Sequence, residues 1–146
     1  MNLRPFKSID REAVVEIFRS NIPKYFGPEE ETGLCNFLSD TRGEDYFVAE
    51  IDGEIIGAGG IAPNADGTAS LCWGMIRADY IGTGLGRRLT EFRIRMAREK
   101  FGDRPLVTST SQHTKGFYEK FGFRITEHTR DGFGPGIDIC KMRLDF

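Results

Sequence analysis

The 146-residue chain lacks any run of about 20 apolar residues, the length a helix needs to cross a bilayer, so no membrane partner is expected. Its first residues, Met1-Asn2-Leu3-Arg4-Pro5-Phe6, hold no long apolar stretch either, which argues against a secretory leader. Cysteine is scarce and odd in number: Cys35, Cys72 and Cys140 lie far apart. That pattern fits reduced thiols in a cytoplasmic protein better than a disulfide framework. The two histidines, His113 and His128, form no ligand cluster with them, so no metal is expected. Excess charge is lacking too: the net value is −2, and nucleic acid is not an expected partner.

The charge that is present is unevenly placed. Residues 1–66 hold 6 Lys/Arg against 13 Asp/Glu, whereas residues 67–146 hold 14 against 9. A basic second half suits an anionic ligand, and an acidic first half suits a cationic one.

Patterning gives an α/β chain of one domain, residues 1–146. Residues 2–7 read as a strand. Asp10 reads as the N-cap of a helix with Ala13, Val14, Ile17 and Phe18 on its apolar face. A second helix follows Pro28, opened by Glu29-Glu30-Glu31 and ended by Arg42-Gly43. Three strands then form a meander, with Asp52-Gly53 as a hairpin turn and Leu71, Trp73 and Met75 on one face of the third. A helix through Leu85, Leu89, Phe92 and Met96, a strand from Pro105, a short helix Thr114–Phe121 and two last strands complete the order. The last two strands are read as split by an Asp131–Gly136 loop, with Cys140, Met142, Leu144 and Phe146 facing inward. The count is about seven strands in a mixed, largely antiparallel sheet, flanked by about four helices.

The stretch Trp73 to Leu89 organises the rest. An apolar strand runs into Gly82-Thr83-Gly84-Leu85-Gly86-Arg87 and then into a helix. Glycines let a backbone approach a phosphate, and the first N–H groups of a helix have no partner within it, so the junction is a natural anion site. Two common phosphate motifs do not fit. The P-loop pattern is missing, and the third glycine comes one place too early for a dinucleotide fingerprint, which here would also follow a meander rather than a first strand.

The run Gly82-Thr83-Gly84-Leu85-Gly86-Arg87-Arg88-Leu89 instead resembles the pyrophosphate loop of the Gcn5-related N-acetyltransferases (GNAT). The segment Phe117-Tyr118-Glu119-Lys120-Phe121-Gly122-Phe123 resembles that family's C-terminal motif, in the family's order and at a similar separation. The resemblance implies acetyl-coenzyme A as co-substrate and direct transfer of its acetyl group to a primary amine. Gly82, Thr83, Gly84, Leu85, Gly86 and Arg87 would hold the pyrophosphate. Met75, Ile76 and Arg77 would line the pantetheine arm as if pairing with an added strand, and Ser111 would hydrogen-bond it. Tyr118 would protonate the leaving thiolate, and a backbone N–H between Trp73 and Ile76 would meet the oxyanion. The chain departs from the family at Ile81, where Arg or Gln is usual, and at Ser111, where Asn is frequent. Ala69 to Ile76 carries no carboxylate, so the base that some members place there must come from Glu29, Glu30, Glu31, Glu50, Glu54, His113 or a water chain. A catalytically silent acyl-coenzyme A sensor on the same fold is the alternative. Cys72 reads as a small core residue rather than an acyl carrier. The acceptor is unnamed; the first two helices and the Tyr25-Phe26 loop are expected to bind it. Exposed edge strands would allow a homodimer.

Overall fold

Apolar residues at both parities of Tyr46-Phe47-Val48-Ala49 make this segment a strand buried on both faces, and it sits near the middle of one half of the sheet. The computed structural model describes residues 1–40 and 45–146. Its strands are β1 (Asn2–Pro5), β2 (Tyr46–Ile51), β3 (Glu54–Pro63), β4 (Ala69–Ile76), β5 (Leu106–Thr110), β6 (Arg124–Gly134) and β7 (Ile137–Leu144). The helices are α1 (Arg11–Ser20), α2 (Glu31–Asp40), α3 (Leu85–Phe101) and α4 (Lys115–Glu119). The seven strands form one sheet in the order β1-β2-β3-β4-β5-β7-β6. Every pairing is antiparallel except β4 with β5, which is parallel.

Each face of the sheet has its own core. Val14, Ile17 and Phe18 of α1 and Leu34 and Leu38 of α2 pack on Tyr46, Val48, Ala58 and Met75. On the other face Ala97 of α3 and Tyr118 of α4 pack with Phe47, Ile61, Leu71, Leu106 and Met142. The α3 start closes that face through Leu89, Ile56 and Ile76.

Several sequence expectations are corrected. Asp10 does precede α1, but its carboxylate does not cap that helix: it accepts the Lys7 N–H at 2.8 Å and both Nη groups of Arg4, closing a 3-10 turn over Ser8–Asp10. Leu71, Trp73 and Met75 do not share a face. Opposite β3 the register runs from Gly60↔Cys72 to Ala58↔Met75, so β4 carries an extra residue there and Trp73 has φ +45°. This bulge reverses the parity, placing Leu71 in one core and Trp73 and Met75 in the other. The Asp131–Gly136 loop is mostly strand, since β6 runs to Gly134 and turns at Pro135-Gly136. Phe146 lies past β7 and is half exposed, with the Arg98 guanidinium over its ring at 4.1 Å. The Arg42-Gly43 helix end falls outside the described residues.

Candidate functional site

Two elements meet at the loop before α3. Gly82 and Gly84 both have φ +87°, and a Cβ built on either meets nothing within 4 Å. Glycine is therefore needed there for backbone conformation rather than for room. Gly84 is the N-cap of α3, and its carbonyl accepts the Arg88 N–H at 3.2 Å. The first N–H groups of α3 have no partner in the helix. Arg87 and Arg88 occupy that first turn and no acidic residue does, an arrangement that opposes the helix dipole and suits a bound anion. Arg87 Nε also donates to Glu91 one turn on, at 2.9 Å.

From this loop a cavity of about 870 Å³ runs between β4 and β5. It exists because the two strands pair only at Ala69↔Leu106 and Ser70↔Val107 and then part. Carbonyls of β4 beyond that point find side-chain donors. Leu71 O accepts the Thr108 hydroxyl at 3.1 Å, Cys72 O accepts Arg93 Nη2 at 3.3 Å, and Trp73 O accepts the Tyr46 hydroxyl at 3.0 Å. Past Ser70 the β5-facing edge of β4 pairs with no strand, which leaves it open to an extended ligand.

Of the residues singled out from sequence, Met75, Ile76, Gly82, Gly84, Gly86, Arg87, Ser111 and Tyr118 come together around this cavity. Arg77, Thr83 and Leu85 lie outside its lining. Arg77 is turned to Asp79 at 2.8 Å and stacks over Tyr80; Thr83 donates to Tyr80 O; Leu85 packs against the Ile76 core. Ser111 is buried, and its Oγ accepts the His113 N–H at 3.2 Å. The Tyr118 ring is held edge-on between Phe117 and Phe123, with centroids 5.2 and 5.6 Å away.

The far wall comes from the first half of the chain. Tyr25, Phe26 and Glu30 face the cavity beside Trp73, whose indole stacks on Phe26 with centroids 6.2 Å apart. Asn21 ties this wall to β4 by donating to both Ile17 O and Ile76 O, at 2.8 and 3.0 Å. Among the candidate carboxylates only Glu30 lines the cavity. Glu31 is paired with Arg19, Glu50 with Arg4 and Glu54 with Arg77, while Glu29 leans on the β6–β7 turn at Gly134. Burial pushes the Glu30 carboxyl above its usual range, against the pull of the Gly27 N–H that it accepts at 2.8 Å; the Glu29 charge adds to the rise. His113 also borders the cavity, its ring edge-on to Tyr25.

Burial raises the Cys72 thiol to about 11, the Asp45 charge adding to the rise and the nearby Arg93 charge only partly offsetting it, so this sulfur is a neutral thiol at physiological pH. Among the described residues no group of three or more His, Cys, Asp and Glu is placed to hold a metal, and no helix is long and apolar enough to cross a membrane. Sequence reasoning missed several wall residues, among them Asn21, Thr108 and Arg93, the last on the inward stripe of α3 with Leu89 and Ala97.

A family model described as the acetyltransferase (GNAT) family matches residues 11–123. The chain is 30% identical over 110 residues to the uncharacterized N-acetyltransferase YjgM of Escherichia coli (strain K12); the match covers 70% of the chain and 63% of that protein. The chain thus spans less than two thirds of the curated relative it matches. A GNAT-family protein from Desulfovibrio desulfuricans superposes with a TM-score of 0.79 at 25% identity, covering 99% of this chain and 98% of that one. The structure of yncA from Salmonella typhimurium with its cofactor acetyl-CoA gives a TM-score of 0.77 at 19% identity, over 99% and 93% of the two chains, a likeness of fold.

Proposed function

Because the chain belongs to the acetyltransferase (GNAT) family, we propose that residues 1–146 form one acetyltransferase domain that moves an acetyl group from acetyl-coenzyme A to a primary amine of a small molecule or protein. The observation that carries this reading is one cavity lined by the α3 loop, Tyr118 and Glu30 together. An anion cradle, an unpaired strand edge, an acid and a base are the four parts such a transfer needs.

The N–H groups of the α3 start and Arg87 hold the pyrophosphate. The open edge of β4 aligns the pantetheine arm, with Ser111 on the opposite side. Glu30 takes a proton from the acceptor's ammonium, and its raised pKa brings it nearer to the value a base needs at neutral pH. The freed amine attacks the thioester carbon, a C–N bond forms and the C–S bond breaks. Tyr118 gives its proton to the departing sulfur and recovers one from the new amide nitrogen. Trp73, Phe26 and Tyr25 exclude water from the acceptor side.

The deciding experiment is thiol release from acetyl-coenzyme A across a panel of amines. Turnover on at least one amine supports the transferase; tight coenzyme A binding with no turnover on any would make the chain a sensor.

A further inference from the structure

The most deeply buried charge in the cavity wall has no part in the steps above. Arg93 is 1% exposed and carries its guanidinium from the middle of α3 to the underside of the β4 bulge. Its described partners are two neutral carbonyls, Gly60 O from Nε and Cys72 O from Nη2, each at the long distance of 3.3 Å. Nη1 lies under Gly74, so close that a Cβ there would overlap it, and a Cβ on Gly59 would come within 2.7 Å of Nε. The glycines of β3 and β4 are what give the guanidinium its room. Asp45, which shares the neighbourhood of Cys72 with Arg93, is paired with Lys100 instead.

Among the described residues this buried cation faces only neutral carbonyls, an unfavourable arrangement that an anionic partner would relieve. A guanidinium is also the side chain best shaped for a carboxylate, because its planar fork matches both oxygens. We propose that Arg93 is a specificity residue that takes a carboxylate carried by one of the two substrates, either the acyl group of the thioester or the amine acceptor. The inference rests on the reading of this cavity as a coenzyme A thioester site. On the acyl side the matching class is a short dicarboxylic thioester; on the acceptor side it is an amino acid rather than a plain amine.

Calorimetric titration of the wild type with acetyl- and succinyl-coenzyme A reads the first source. Thiol release with amino acids, each beside its decarboxylated amine, reads the second. The assignment expects a preference of at least about tenfold for the carboxylated member in one of the two comparisons. Arg93→Met removes that preference and Arg93→Lys keeps part of it. Equal thioester binding together with no carboxylate-dependent turnover in the wild type overturns the assignment, and that comparison needs no variant to fold. Failure of both thioesters to bind overturns the coenzyme A reading beneath it, a result distinct from equal binding.

Discussion

The hydroxyl of Tyr46, on β2, donates to the carbonyl of Trp73 on β4 at 3.0 Å, passing across β3 to the one residue of the bulge with positive φ. Burial pushes the Tyr46 phenol far above its usual pKa, so at any working pH it is a donor. Tyr46→Phe leaves the Trp73 carbonyl without its partner. The expected loss is about 1–3 kcal/mol in urea denaturation, with turnover reduced as well, because the proposed mechanism puts the reacting atoms beside the bulge. Unchanged stability would mean that Phe26, Phe37 and Phe18 alone hold the indole.

In the proposed mechanism Glu30 couples activity and stability in opposite directions. Its folded-state pKa is raised, so the folded protein holds the proton more tightly than the unfolded chain, and stability falls as pH rises through the interval between the two values. Glu30→Gln is therefore expected to raise Tm at neutral pH and to abolish the acidic limb of the kcat/KM profile, with turnover lowered roughly 10²-fold or more. A retained limb would reassign the base, with His113 next in line.

Tyr118→Phe should lower kcat by roughly 10²-fold while leaving coenzyme A affinity within about twofold, since only the hydroxyl is removed from a ring fixed by Phe117 and Phe123. Stopped-flow thiol release and calorimetry together check this. Wild-type rates would take Tyr118 out of the chemistry.

At Gly84 an added Cβ meets no atom within 4 Å, so the cost of an aspartate is backbone strain at φ +87°, which this residue type tolerates better than most. Gly84→Asp should keep the fold and weaken coenzyme A binding at least about tenfold by placing a carboxylate against the phosphates. Native-like circular dichroism with unaltered affinity would move the anion site elsewhere.

Asp10 provides the acid-side stability term. Arg4, by hydrogen bond, and then the Lys7 N–H hold its carboxyl below the usual range, despite its burial. Its contribution is fully present above the unfolded-state value, near 3.9, and is lost as pH falls through the depressed folded value. Thermal unfolding between pH 7 and 3 should therefore show a steeper acid loss for wild type than for Asp10→Asn, which starts lower by about 1–3 kcal/mol.

The element order was legible because α1 and α3 each keep one helical period over their length and β2 is a short continuous apolar run before a turn signal, and the α3 loop because closely spaced glycines before a helical pattern are hard to disguise. Four things were hidden. The bulge at Trp73 leaves no mark in an alternation that looks regular, because the extra residue is itself apolar. The long β6 has a Gly-Pro-rich end that reads as loop, yet Asp138 accepts the Asp131 N–H at 3.0 Å and holds the hairpin there. Arg93 is one of several arginines in α3, and residue type does not set it apart from the others. Its position four residues after Leu89 and four before Ala97 was the available signal, and the facing glycines of β3 were the other half of it. Glu30 could not be told from Glu29 and Glu31 by sequence, since all three sit in one turn and only packing separates them.

The split between β4 and β5 turns the sheet into a gauge. Two residue pairs, at Ala69 and Ser70, set the angle at which the half-sheets diverge, and on the proposed reading the width of the acyl site grows with that angle along the strands beyond. Small changes in packing at the apex, around Leu106 and Met142, are thus magnified at the mouth. Volume changes there, far from any reacting atom, will alter the length of acyl chain accepted more than they alter the grip on the pyrophosphate.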